Sequence, residues 1–201
     1  MNKVMKSRKY VVFLLLLLAM VVGTAVVFAL TPVDTFNDTM QESDADVSAC
    51  SSATGTDMIG GARDILVTRT SGLGTVVADV DDSVLDNFAY SSGASTRGTA
   101  LIQLDGNDGA CTLSPTGLGG ISLSPDDGMA IFVRQVDLYG VVQIRVYTDA
   151  SNYSILNYVI PTSIVAPGQI LYFPFEQFSP VNAGADFGNV GAIELLVDGS
   201  N

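Results

Sequence analysis

Aspartates grouped in short glycine-containing segments are the residues of this chain with the best-defined chemistry. One such segment, DGNDG, carries Asp105, Asn107 and Asp108. Carboxylate and amide oxygens presented by a loop are ligands that Ca²⁺ prefers, and the glycines allow the loop to wrap closely around an ion. Acidic turns are also common without a metal, and no aspartate group here follows the EF-hand spacing. The sequence therefore predicts either a calcium site at these three residues or a solvated acidic turn.

A second group of residues has the chemistry of a glycan site. Tyr139, Tyr147 and Tyr153 are accompanied by Gln143 and Arg145 on the predicted polar rows of neighbouring strands. Aromatic rings stack on pyranose rings, and amide and guanidinium groups hydrogen-bond to sugar hydroxyls. The chain has no Trp, and strand tyrosines are more often packed at the rim of a sheet. Packed rim residues are therefore the alternative interpretation.

The residue inventory leaves little room for catalysis. The chain has no His, and its lysines all lie within the first nine residues. Ser-His-Asp, Cys-His, Schiff-base and imidazole-zinc sites are therefore excluded from the rest of the chain. A carboxylate pair of the glycoside hydrolase kind remains as a remote option. No stretch places two acids beside an aromatic-lined cleft, so we expect a protein that is not an enzyme.

The N-terminal segment 1–29 has the pattern of an export signal. Four basic residues precede an apolar run over 10–30, and Val27-Phe28-Ala29 offers a signal peptidase site. The apolar run is also long enough to span a bilayer, so an uncleaved anchor helix is the alternative. Both interpretations place the following domain outside the cytoplasm, in the extracellular space or on the cell surface.

Charge excludes two classes of partner for the exported part. After residue 29, five arginines stand against 21 acidic residues, which gives a net charge of −16. So negative a surface repels nucleic acid and anionic membranes. We therefore expect no nucleic-acid partner, and contact with a membrane only through the N-terminal segment if it stays uncleaved.

Cys50 and Cys111 are the only cysteines of the chain. An even number of cysteines in an exported protein favours a disulfide bond, and two are too few for a thiolate metal site. The bond would be structural and would tie the N-terminal region to the sheet. Two free thiols are the alternative.

The hydrophobic pattern predicts an all-β fold. In segment 141–148, Val142, Ile144 and Val146 alternate with polar residues, which is typical of a strand with one buried face. We predict an antiparallel meander of strands at 130–136, 141–148 and 153–160. Strands at 64–70 and 75–80 are joined by a glycine turn that predicts a hairpin. Eight or nine short strands with glycine-rich turns indicate one antiparallel β-sandwich domain of jelly-roll type over 59–201.

Two regions lack this pattern. Residues 30–58 contain a short first strand at 32–36, followed by a stretch rich in Ser, Thr and Asp that predicts a solvated loop or flexible arm. Residues 81–96 fit a helical turn, an irregular loop or a short strand.

Several short motifs resemble those of known proteins. They are DTF at 34–36, IGGARDI at 59–65, GLGGISL at 117–123, FPF at 173–175 and DFGNVGAIEL at 186–195. Together they resemble secreted bacterial surface proteins with jelly-roll β-sandwich domains, which are loosely similar to carbohydrate-binding modules. The resemblance implies a fold and no catalytic residues. It also implies a final strand after residue 200, so we expect a sandwich that lacks its last strand and exposes an unpaired edge, with a differently closed sandwich as the alternative.

The function expected from these features is that of a secreted or cell-surface structural or adhesive protein. A carbohydrate-binding module that calcium could stabilise is the alternative. The expected partners are polysaccharides, other components of the cell envelope, or a second copy of the chain bound at an edge strand.

Overall fold

The computed structural model describes residues 31–37, 39–81, 87–136 and 139–200. The predicted signal segment 1–29 lies outside these residues, as do 82–86 of the undecided segment 81–96, of which 87–92 form a strand. The described chain is all-β, with antiparallel strands and two short 3₁₀ turns at Ile59–Gly61 and Phe175–Gln177. No helix in it is long and apolar enough to cross a membrane.

The strands follow each other along the chain with mostly short connections. They are β1 Gln41–Ala45, β2 Ser48–Thr54, β3 Ala62–Ser71, β4 Val76–Asp81, β5 Asn87–Ser92, β6 Arg97–Leu104, β7 Gly128–Val133, β8 Gly140–Tyr147, β9 Tyr153–Ile160, β10 Gln169–Pro174, β11 Ser179–Val181 and β12 Ala192–Asp198.

One large sheet contains seven of these strands, in the order β11-β9-β8-β12-β6-β3-β2. Its inner face is apolar, and the predicted row of Val142, Ile144 and Val146 is buried there. Ile65 on β3 and Ile102 on β6 continue this row by direct pairing. The period-two pattern therefore identified the buried face correctly.

Two smaller sheets cover that inner face. The sheet β1-β4-β5 packs on β3 and β6, with Val76, Ala78 and Val80 fully buried. The ribbon β10-β7 covers the other half of the face with Leu171 and Phe173. The core thus lies between two layers, which is consistent with a β-sandwich.

Two predicted strand pairings are wrong. The β8–β9 hairpin forms as predicted, but β7 pairs with β10 and not with β8. Likewise β4 pairs with β1 and β5, so the predicted hairpin between β3 and β4 does not form. Both edges of β3 are occupied by β2 and β6. The chain after β3 therefore crosses to the other layer, where β4 buries the apolar residues that cover β3.

The predicted flexible arm is also wrong, because most of it forms β1 and β2. On β1, Gln41, Ser43 and Ala45 are buried while Glu42 and Asp44 are exposed. The period of two is present, but small and polar residues carry it, so hydrophobicity alone did not reveal it. The short first strand predicted at 32–36 is reduced to one bridge between Asp34 and Met58.

The end of the described chain is not a sheet edge. β12 lies between β6 and β8 and pairs with both, so the expected open edge beside it is absent from the described residues. The edges of the large sheet are β2 and the short β11. The GLGGISL motif is turns with a single bridge from Ile121 to Val190, not a strand.

Candidate functional site

The predicted disulfide between Cys50 and Cys111 is confirmed, with a Cα–Cα distance of 6.0 Å. Cys50 lies on β2 opposite Leu66 of β3, on the outer face of the large sheet. Cys111 belongs to the segment 105–118, which follows β6. The bond therefore fastens this segment, here called the tethered loop, to the outer face near the β2 edge.

The tethered loop returns to the sheet close to the point where it leaves β6. Leu118 donates its backbone N–H to the carbonyl of Gly191 at 2.9 Å, just before β12. A Cβ on Gly117 would lie 1.7 Å from the carbonyl oxygen of Asp105, so only glycine allows the loop to return so close to the end of β6. The loop thus covers part of a face that would otherwise be solvated.

A row of polar side chains crosses the outer face of the large sheet. Asp64 on β3 lies opposite Gln103 on β6, which lies opposite Glu194 on β12, which in turn lies opposite Arg145 on β8. Asp64, Gln103 and Glu194 are buried, and only Arg145 is substantially exposed. Burial of so many polar groups requires partners for each of them.

At the β12 end of this row the partners are present. Glu194 accepts hydrogen bonds from Gln103 Nε2 at 2.9 Å and from the Tyr147 hydroxyl at 2.7 Å, and Arg145 lies 3.4 Å away. Burial, followed by the hydrogen bond to Glu194, raises the pKa of Tyr147 to about 12. Tyr147 therefore acts as a buried donor.

At the β3 end, three carboxylates come together without enough donors. One oxygen each from Asp64, Asp105 and Asp108 lie within 4.8 Å of one another. Asp64 and Asp105 are each about 1% exposed, whereas Asp108 is exposed to solvent. Asp105 Oδ2 accepts the Ser114 backbone N–H at 2.6 Å. Asp105 Oδ1 and both oxygens of Asp64 have no partner with hydrogen-bond geometry.

Proton affinities at this cluster reflect its burial. The pKa of Asp105 is raised to about 6, mainly by burial and also by repulsion from Asp108, Asp64 and Glu194, while the Ser114 N–H opposes the rise. The pKa of Asp64 is also raised, mainly by burial, although the nearby Ser52 hydroxyl offsets part of the effect. Both carboxylates are therefore held where an anion is unfavourable.

This arrangement predicts how stability depends on pH in a buffer with chelator. Between about pH 4 and pH 6 the folded state keeps a proton on Asp105 that the unfolded chain has lost. The free energy of unfolding should therefore fall as pH rises through this window, by on the order of 2–3 kcal/mol, and level off near pH 7. Urea unfolding at half-unit intervals of pH measures it. Asp105→Asn should flatten the slope, and an unchanged slope would contradict the assignment.

The predicted calcium ligands are partly brought together. Asp105 and Asp108 belong to the carboxylate cluster, whereas Asn107 lies exposed in the tethered loop. Asp64 was missed because it stands beside Arg63 at the start of β3, where charged residues are expected to be solvated. Its position directly before the apolar run 65–67, on the face away from the core, is the signal that could have indicated it.

The predicted glycan residues do not form one platform. Tyr147 is buried, contrary to its expected exposure, because its hydroxyl reaches Glu194. Tyr153 stacks on Tyr147 with ring centroids 5.0 Å apart, and Gln143 and Arg145 lie on the same outer face. Tyr139 precedes β8 at its other end, about 25 Å of strand away. Four of the five residues are therefore neighbours, and only some of their surface is accessible.

A different surface is formed by the ribbon of β7 and β10. Its outer face pairs Phe132 with Ile170 and Ala130 with Tyr172, and Val165 lies in the loop leading to β10. Phe132, Val165 and Ile170 are each more than 60% exposed. We call Phe132, Val165, Ile170 and Tyr172 the apolar face.

Charge is nearly absent from this part of the chain. Residues 150–175 contain no charged side chain, and residues 128–136 contain only Arg134. In the described chain β7 and β10 pair only with each other, so each keeps one open edge. An exposed apolar surface with open strand edges is typical of an interaction site.

Comparison with known proteins assigns the chain to no group, because it matches no family model, no curated protein and no solved structure.

Proposed function

We propose that this protein is an exported, non-enzymatic β-sandwich module with a structural role, which associates with further copies of itself through the apolar face. The observation that carries the proposal is the exposure of Phe132 and Ile170, 62% and 64%, side by side on an uncharged ribbon. The jelly-roll class suggested by the sequence motifs is part of this proposal.

Charge favours a second copy as the partner. Each exported chain carries a net charge of −16, so most orientations of two copies are repulsive. The ribbon is the part where acidic residues are missing, and two copies meeting there bury apolar area with the least repulsion. Added salt should therefore strengthen the association, because it screens the remaining repulsion.

The buried carboxylates do not support a glycoside hydrolase. The carboxyl groups of such enzymes stand about 5–9.5 Å apart around an open cleft. Here Asp64 and Asp105 have oxygens within 4.8 Å of each other, and both are buried where the tethered loop leaves the sheet. A polysaccharide could not reach both, which supports a protein that does not act on a substrate.

Self-association predicts a measurable dimer. We expect sedimentation velocity of the oxidised chain from Leu30 to Asn201 to show a dimer fraction that rises between 20 mM and 500 mM NaCl. Phe132→Ser with Ile170→Ser should leave a monomer at both salt concentrations, because the apolar contact is lost. Leu73→Ser is the matched control, since Leu73 is 96% exposed in the turn after β3 and outside the apolar face. A monomer at every salt concentration, or loss of the dimer in the control, would contradict the proposal.

Glycan binding is the second candidate, favoured by the partly exposed Tyr153 beside Arg145 on the outer face. A soluble module of this type should be retained by one member of a polysaccharide panel and released by the matching sugar. Tyr153→Ala should abolish retention, whereas Tyr139→Ala should not, because Tyr139 lies at the far end of β8. Equal retention of both variants and the parent chain would count against this site.

A further inference from the structure

Four buried oxygens at the β3 end of the polar row accept no hydrogen bond of good geometry, although the Ser52 hydroxyl lies near Asp64. They are both oxygens of Asp64, Oδ1 of Asp105 and Oε1 of Gln103. The amide of Gln103 is oriented by its Nε2, which donates to Glu194 on the opposite side from β3. Its carbonyl oxygen is left without a donor, and Asp64 lies directly opposite Gln103 on the neighbouring strand β3.

Such a concentration of acceptors is unfavourable in the absence of a positive charge. A buried carboxylate costs several kcal/mol unless it is paired, and leaving an acceptor unsatisfied adds to that cost. No arginine pairs with the cluster, because the only ion pairs of the described residues are Arg63 with Asp34 and Arg145 with Glu194. The described chain therefore supplies the anions of this site and no cation to balance them.

We propose that Asp64, Asp105 and Asp108 bind a divalent cation, Ca²⁺, beneath the tethered loop, with the carbonyl oxygen of Gln103 as a further ligand. The exposed Asp108 gives the ion a route from solvent and leaves room for water in its coordination shell. This inference does not depend on self-association through the apolar face.

Ligand chemistry selects the ion. Every candidate ligand is a hard oxygen, the chain has no His, and both cysteines are in the disulfide. Zinc and copper are therefore disfavoured. Ligands about 2.4 Å from Ca²⁺ are separated by no more than about 4.8 Å, which the three carboxylates satisfy. Mg²⁺ requires shorter distances and near-octahedral geometry, which three side chains from a strand and a loop do not favour.

The ion would join two parts of the chain. Asp64 belongs to β3, which lies between β6 and β2 in the large sheet, whereas Asp105 and Asp108 begin the tethered loop. A bound cation would therefore hold the start of the loop on the sheet, as Cys111 holds its middle. Because the ion would bind the folded chain and not the unfolded chain, it would raise the melting temperature.

Calorimetric titration and thermal unfolding of the oxidised chain from Leu30 to Asn201, which contains every described element, test the proposal. After chelator treatment, 5 mM CaCl₂ should raise the melting temperature by about 5 °C or more, and 5 mM MgCl₂ by clearly less. Asp108→Asn, at an exposed position that leaves folding intact, should weaken Ca²⁺ binding at least tenfold. Asp44→Asn, exposed on β1, is the control and should bind as the parent chain does.

Asp64→Asn should change the melting temperature in opposite directions without and with calcium, relative to the parent chain. Without calcium this variant should melt at a higher temperature than the parent, because a buried unpaired charge is gone. With calcium it should gain nothing. No binding of Ca²⁺ by the parent chain at 5 mM, an equal response to Mg²⁺, or an unchanged calcium response in Asp64→Asn or Asp108→Asn would each overturn the proposal.

Discussion

Replacing Arg63 by methionine is expected to lower the free energy of unfolding by about 3–5 kcal/mol, because it leaves a buried carboxylate without its partner. The Arg63 side chain is fully buried on β3. Its Nη1 donates to both oxygens of Asp34 at 2.9 Å, and its Nε donates to Gln41 Oε1 at 2.8 Å. Nη2 donates to the carbonyl of Thr39 at 3.0 Å, and the guanidinium lies 5.4 Å from the Phe36 ring centre.

These contacts hold the segment before β1 against the inner layer. Burial already raises the pKa of Asp34 above its ordinary value, and the hydrogen bond and charge of Arg63 oppose that rise. Without Arg63 the carboxylate must protonate or recover water, and either requires residues 34–41 to move away from β3. We therefore expect loss of order that begins in this segment.

Urea unfolding at pH 7 measures the loss, and hydrogen exchange of β1 amides shows where it occurs. Arg134→Met is the matched control, because Arg134 is exposed and its replacement should change stability by less than about 0.5 kcal/mol. The double variant Arg63→Met with Asp34→Leu should recover much of the loss, since both buried charges are removed together. A single variant within 1 kcal/mol of the parent would show that the ion pair does not hold this segment.

The sequence predicts the buried face of a strand in this fold, but not which strands lie side by side. Strict alternation on β8 correctly gave the buried row, because period-two patterns depend on local chain geometry alone. The strand partners of β4 and β7 could not be obtained in this way. Which strand lies beside another is decided by the free edges and the uncovered apolar area, and these are properties of the assembled sheet.

Polar residues were the main source of error. Arg63 and Asp64 are adjacent on β3, so their side chains point to opposite faces. Arg63 enters the inner layer and Asp64 the covered outer face, and both are buried. A sequence pattern assigns charged residues to solvent, since nothing local shows that residue 34 or the tethered loop will cover them. The disulfide was predictable because it needs only two cysteines and an oxidising compartment.

Removing the disulfide is expected to have an effect of similar size. The bond closes a loop with a sequence separation of 61 residues, and the loss of this constraint from the unfolded chain corresponds to about 4 kcal/mol. Cys50→Ala with Cys111→Ala should lower the free energy of unfolding by this amount, measured by urea unfolding with chelator present. A loss below 1 kcal/mol would show that the tether contributes little.

The same double variant separates two effects of the tethered loop. If the bond acts only on the unfolded chain, the folded variant keeps Asp105 and Asp108 over Asp64, and its calcium-dependent gain in melting temperature equals that of the parent chain. If the bond also holds the loop on the folded sheet, the gain shrinks, because part of the binding energy is used to order the loop. We expect the smaller gain, since Cys111 is the point where the middle of the loop is joined to β2. An equal gain would instead show that the hydrogen bonds of Ser114 and Leu118 position the loop without the disulfide.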